Sequence, residues 1–165
     1  MRAGERKERM SDVLERYRSI SSQEFFRVAD ELDVDITKFM LREKNVPKKY
    51  RAIAVYPLLE AFDELFELME DANRIRADTP EKVKERRAAQ QKCIDQLDTI
   101  YRRMRKAVNI VWKDKIRGSR EHPPTAEQQR LRNALNDYAM RLQQEDKLLT
   151  GWRNGTKLIG EKSKK

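Results

Sequence analysis

The chain of 165 residues has little of what most active sites are built from: one cysteine, Cys93, and one histidine, His122. A lone cysteine excludes an internal disulfide, and one histidine leaves few soft ligands for a metal. Cys93 stands beside Ile94 with no histidine near it, so it reads as a reduced, partly buried thiol rather than a nucleophile. His122 falls in the segment 118–124 and reads as a solvated loop side chain. Only five Gly and five Pro interrupt the chain. No apolar run approaches the ~18 to 20 residues of a membrane span, and MRAGERKERM lacks the apolar core of a signal peptide, so the expectation is a soluble, cytoplasmic protein. Gly-rich phosphate loops, a nucleophile elbow and the paired Glu-x-x-His motifs of a di-iron bundle are all missing. The sequence points away from catalysis, and no cofactor is expected.

What it has in abundance is charge. Charged residues make up 39% of the chain, and the formal net charge is +9. Two-residue strand alternation never organises this charge, whereas the solvated faces of long helices absorb it, and the class is all-α. Its distribution is bipolar. Residues 24–35 carry five acids against Arg27, and residues 58–71 carry six acids with no Lys or Arg. Residues 102–120 carry eight bases against Asp114 alone.

Four apolar stripes follow. Ser21 and Glu24 have capping-box spacing, and Phe25, Val28, Ala29, Leu32, Ile36, Phe39 and Met40 then recur at helical intervals, with a break possible at Asp33 and Asp35. This first helix should end before Pro47. A second, over 48–77, points Val55, Leu58, Leu59, Phe62, Leu65, Phe66 and Met69 inward, with Glu60, Asp63, Glu64, Glu67, Glu70 and Asp71 outward. Tyr50, Ile53 and Ala54 fit the same face, so Pro57 is expected to kink this helix rather than restart it. The short link at 78–80 forces the next helix to run antiparallel.

The third helix, 79–116, organises the rest. Thr79 is its N-cap and Pro80 its first residue, and at ~1.5 Å per residue it is about 55 Å long. Its expected stripe is Val83, Ala88, Gln91, Ile94, Leu97, Tyr101, Met104, Val108 and Val111. Thr125 and Gln128 box a fourth helix with Leu131, Leu135, Tyr138, Leu142, Leu149 and Trp152 on one face. Glu145 occupies a slot expected to be apolar, the mark of a frayed or partner-facing end, and Trp152 should close the bundle against the loop after the first helix. The expected architecture is an antiparallel up-down-up-down four-helix bundle over 21–152. A charged N-terminal extension occupies 1–20 and a flexible basic tail 153–165. Residues 1–20 are open between a short amphipathic helix and a tail that orders on a partner.

The positive signal is the basic cluster. Arg102, Arg105, Lys106, Lys113 and Arg117 fall largely off the expected stripe and project together, a pattern that neutralises backbone phosphates without reading bases. The bland alternative is that bases near a helix C-terminus complement its dipole, or meet another subunit. Lys48, Lys49 and Arg51 at the start of the second helix form a smaller group of the same kind. Tyr50 and Trp112 read as core or subunit-interface residues, so no aromatic stacking platform accompanies the bases.

The segment NVPKKYR (45–51) enters a long helix that reaches DAN (71–73). A short loop leads into an arginine- and glutamine-rich helix, and the last helix closes in LLTGW (148–152). Over roughly residues 36–152 this pattern resembles a four-helix-bundle family. Its members include proteins encoded within 23S ribosomal RNA intervening sequences and the accessory variability determinant of diversity-generating retroelements. The retroelement branch implies basic pentameric barrels that bind a reverse transcriptase and contact its template RNA during mutagenic cDNA synthesis, without catalytic residues. The charged extension, the acidic first and second helices and the GSREHPP connection depart from the shorter members. Two functions are therefore expected in competition: a nucleic-acid-binding accessory protein with RNA, and DNA as a further candidate, as partner, and an oligomeric interaction module without nucleic acid.

Overall fold

A computed structural model describes residues 23–116 and 123–160, without the side chains of 112–116. The extension at 1–20, Ser21 of the expected capping box, Arg117 and His122 lie outside the described residues, as does the Lys113 side chain. The described residues are mostly helical, without strands. The helices are α1 (Glu24–Met40), a short α2 (Arg51–Ala54) preceded by a 3-10 turn (Lys48–Tyr50), α3 (Tyr56–Arg74), α4 (Pro80–Ile116) and α5 (Ala126–Gly155). The largest interfaces are α3 with α4 and α4 with α5, and α1 packs on both α3 and α5. No helix among the described residues is long and apolar enough to cross a membrane.

α1 buries the seven expected apolar residues together with Phe26. It runs unbroken through Asp33 and Asp35 because each acid has a partner. Thr37 donates its hydroxyl to Asp33 at 3.2 Å, and Arg141 of α5 donates to Asp35 at 2.8 Å. Beyond α1 the carbonyls left without helical partners are met by side chains. Asn45, itself buried, donates to the Phe39 carbonyl at 2.7 Å, and Arg51 donates to that of Leu41 at 2.7 Å.

Pro57 restarts the helix and does not kink it. The chain turns at Val55, and Pro57 sits in the first turn of α3, where its missing N–H leaves no gap in the ladder. Ile53 and Tyr56 are exposed, on the side away from buried Ala54, Val55 and Leu58. α3 ends at Arg74 rather than at 77, after burying Leu58, Ala61, Phe62, Leu65, Met69 and Ala72.

α4 is capped as expected: the Thr79 hydroxyl accepts from the Lys82 N–H at 3.2 Å. Its buried face differs from the expected stripe. Gln90, Cys93, Gln96, Leu97, Ile100, Met104 and Ala107 are buried, whereas Ala88 and Tyr101 are exposed. Flanked by both α3 and α5, α4 must bury more of its circumference than a single stripe, glutamines included; the Gln96 amide nitrogen finds partners, whereas Gln90 Nε2 is buried without one among the described residues. Gln96 donates to the Ala61 carbonyl and to Glu64, both at 2.9 Å, and Gln90 accepts from the Thr156 hydroxyl at 2.9 Å. Burial raises the Cys93 thiol to about 12, which keeps it protonated.

α5 starts at the expected Thr125–Gln128 capping box and continues past 152. Residues 153–160, assigned by composition to a flexible tail, pack on the bundle. Arg87 grips the Thr156 carbonyl through two N–H donors, Arg153 donates to Gln91, and the Ile159 N–H donates to the Ala77 carbonyl at 2.8 Å. Trp152 stacks on Phe25 with ring centroids 4.4 Å apart, so it closes on the start of α1 and not on the loop after it.

Glu145 is neither frayed nor at the surface. It is 0% exposed, and neither carboxylate oxygen has a hydrogen-bond partner. Burial, with a smaller contribution from the Glu24 charge, raises its pKa to about 8. The folded protein therefore holds a proton here that the unfolded chain, whose free carboxyl titrates at 4.5, releases. The contribution to stability is complete below the unfolded value and is lost as pH rises toward about 8. Across that window it falls by about 1.4 kcal/mol per pH unit. In urea unfolding, Glu145→Gln should gain stability over the wild type progressively between pH 5 and 8. A constant difference across that range would show that the carboxyl does not titrate on unfolding.

Candidate functional site

The expected basic residues separate into two kinds. Arg51 is largely withdrawn from solvent: beyond its bond to Leu41 it pairs with Glu43 at 3.2 Å, and its side chain is 19% exposed. It closes the turn after α1. Lys48 and Lys49 are exposed in the 3-10 turn, with the Lys49 ammonium 4.9 Å from the Tyr50 ring centroid. In sequence α2 and α3 separate these lysines from α4, on which α2 itself packs.

On α4, the neighbouring Arg103 is also structural, donating to the Pro57 carbonyl of α3 at 2.7 Å. Arg102, Arg105 and Lys106 are exposed, and half-buried Arg103 borders the same stretch of surface as Arg102 and Lys106. Arg102 touches only its own helix, the Asp98 carbonyl at 3.4 Å and the Thr99 hydroxyl at 3.2 Å. Among the described residues, none of the three forms an ion pair. Arg27, Arg51, Arg74, Arg76, Lys82 and Arg141 each lie within 4.0 Å of a carboxylate, whereas other exposed cations, Lys38, Lys44, Lys84 and Lys92 among them, also form no ion pair among the described residues. With Asn109 and Ile110, the three line an open groove along the outer face of α4.

The reading of residues missed Tyr101. Placed on the core stripe by spacing, it is 41% exposed, with the Arg105 guanidinium 5.9 Å from its ring centroid. An aromatic ring thus borders the basic face. The signal that would have found it is the alternative stripe through Gln90, Cys93, Leu97, Ile100 and Met104, which needs one glutamine counted as apolar.

Cys93 is buried in the core, and no group of three potential metal-ligating side chains occurs among the described residues. No protein-family model, curated protein or solved structure matches the chain. The motifs NVPKKYR and LLTGW are explained locally by packing, since Asn45 and Arg51 satisfy the end of α1 and Trp152 stacks on its start.

The two kinds of arginine should respond differently to truncation. Arg51→Ala is expected to lower stability by about 1–2 kcal/mol, because the Leu41 carbonyl and Glu43 lose their donor. Arg102→Ala should stay within about 0.5 kcal/mol of the wild type. Chemical denaturation measures both, and equal effects would contradict the separation.

Proposed function

We propose that the protein is a non-enzymatic nucleic-acid-binding accessory factor that holds the phosphate backbone of RNA on the outer face of α4. One observation carries this: Arg102, Arg105 and Lys106 stand exposed together within little more than a helical turn, and none of them forms an ion pair among the described residues. Unpaired cations on a rigid helix attract a polyanion at low desolvation cost and release its counterions. Lys113 and Arg117 extend the row in sequence, and Lys48 and Lys49 form a second, smaller group.

The fold reading that accompanies this function is an up-down-up-down four-helix bundle of α1, α3, α4 and α5. Its support is the order of contacts. Along α4, Arg86, Gln96 and Arg103 reach the carbonyls of Ile75, Ala61 and Pro57, so one number rises as the other falls. The same reversal links α1 with α5, where Phe25 meets Trp152 and Phe39 meets Tyr138. Such a bundle is what the resemblance to the retroelement accessory family calls for. That resemblance supplies the rest of the reading: a cytoplasmic homo-oligomer, pentameric in that family, that binds a reverse transcriptase and its template RNA to support cDNA synthesis.

A second reading has its own observation. Ile110, 37% exposed, lies in the basic groove, and the acids Glu60, Asp63 and Glu67 of α3 are exposed. A head-to-tail contact between the acidic face of one subunit and the basic face of another would cover both and close into a ring.

Charge reversal separates the two readings. With Arg102→Glu, Arg105→Glu and Lys106→Glu combined, the nucleic-acid reading expects lost affinity for structured RNA with assembly intact. The module reading expects loss of assembly by sedimentation. For the unaltered protein, log affinity should fall with log salt by about 0.9 for each phosphate neutralised on duplex DNA, and about 0.7 on single strands. Binding that ignores salt, or that survives the reversal unchanged, removes the nucleic-acid reading.

A further inference from the structure

Tyr101 stands where two surfaces join. On one side is the groove of Arg102, Arg105 and Lys106. On the other, between α4 and α5, is a cleft of about 310 Å³ with buried Leu97 and Leu142 at its base and Tyr101 in its wall. Asp98, Gln143 and Asp146 line the same cleft and are exposed. Among the described residues their side chains make no hydrogen bond and no ion pair. The cleft therefore combines an aromatic ring, which the Arg105 guanidinium approaches at 5.9 Å, and an apolar base with solvent-exposed acceptors, beside the cations of α4.

From this juxtaposition we infer that the cleft is a binding site for an unpaired guanine base whose flanking phosphates lie on Arg102, Arg105 and Lys106. The inference rests on the nucleic-acid reading above and adds to it the part of the ligand that is recognised. The ligand has to present hydrogen-bond donors to carboxylates, lay a planar face on a tyrosine, and carry negative charge a few ångströms away. A nucleotide does all three. Among the bases, guanine alone offers two adjacent donors, N1–H and the 2-amino group, along one edge, which suits a carboxylate. Adenine and cytosine pair one amino donor with a ring-nitrogen acceptor, and uracil flanks one N–H with two carbonyls; each sets an acceptor against the carboxylate. A protein guanidinium would also satisfy the acids and the ring, but it would bring a further positive charge beside three unneutralised ones. The acids also repel phosphate, which fixes the strand's direction: base toward α5, backbone along the outer face of α4. Bases in a duplex cannot enter, so the site selects loops and single strands.

The test uses the full chain and fluorescence anisotropy with three RNAs. Two are hairpins identical except for guanosine or adenosine in the loop, and the third is a blunt duplex of the same stem. The guanosine loop should bind about tenfold tighter than the adenosine loop, the scale of one stacked and hydrogen-bonded base. Tyr101→Ala should remove that preference and leave duplex affinity unchanged, Asp146→Asn should remove it without lowering duplex affinity, and Tyr101→Phe should keep it. Circular dichroism confirms that each variant remains helical. Equal affinity for the two loops, or a preference that survives Tyr101→Ala, overturns the guanine site while duplex binding upholds the reading beneath it. Failure to bind any of the three RNAs overturns both.

Discussion

The whole arrangement depends on α4 being packed on two sides at once. A helix that lies against one neighbour needs a single apolar stripe, but α4 meets α3 along one flank and α5 along the other. Its buried arc accordingly includes Gln90 and Gln96, whose amides reach Thr156, Ala61 and Glu64. Arginines fasten its length: Arg86 and Arg87 near its start reach Ile75 and Thr156, and Arg103 further along reaches Pro57. Only the remaining outer strip is left to solvent. Arg102, Arg105 and Lys106 occupy that strip, so the same packing that makes α4 the centre of the core decides which of its cations face outward.

This division explains what could be read from the residues. α1 and α3 carry enough Leu, Phe, Ile and Met that their inward faces repeat clearly: α1 buries as spaced, and α3 buries Leu58, Phe62, Leu65 and Met69 while Leu59 and Phe66 stay half-buried. The Thr125–Gln128 box is a local device and was equally plain. α4 was not legible in the same way, because hydropathy places Tyr101 inside and Gln90 and Gln96 outside, the reverse of what the neighbours impose. The restart at Pro57 turned on whether Val55 leaves the helix, which the register of Tyr50, Ile53 and Ala54 alone does not settle.

The candidate site divides along the same line. That residues 102–106 are basic is visible in the chain; that Arg103 is spent on a carbonyl while its neighbours are unpaired is a matter of long-range contacts. Arg51 is the clearer case, since nothing local to NVPKKYR reveals that Leu41 and Glu43 will claim it. Glu145 shows the converse. It was conspicuous as an acid in an apolar slot, but only its neighbours show that it is sealed in rather than turned outward.

The seam between α1 and α5 differs from every other in the bundle by its span along the chain. Tyr138 and Arg141 meet Asp35 across 103 and 106 positions, while α3 and α4 are joined by a turn of a few residues. Closing a long loop costs more entropy than closing a short one, and that cost is met before the contact returns anything. The order of assembly is therefore written into the topology: the hairpins centred on α4 form from local contacts, and α1 docks on an existing surface. Phe25 on Trp152 and Asp35 with Arg141 then act as a latch, engaged last on folding and the first to open in a partial unfolding event.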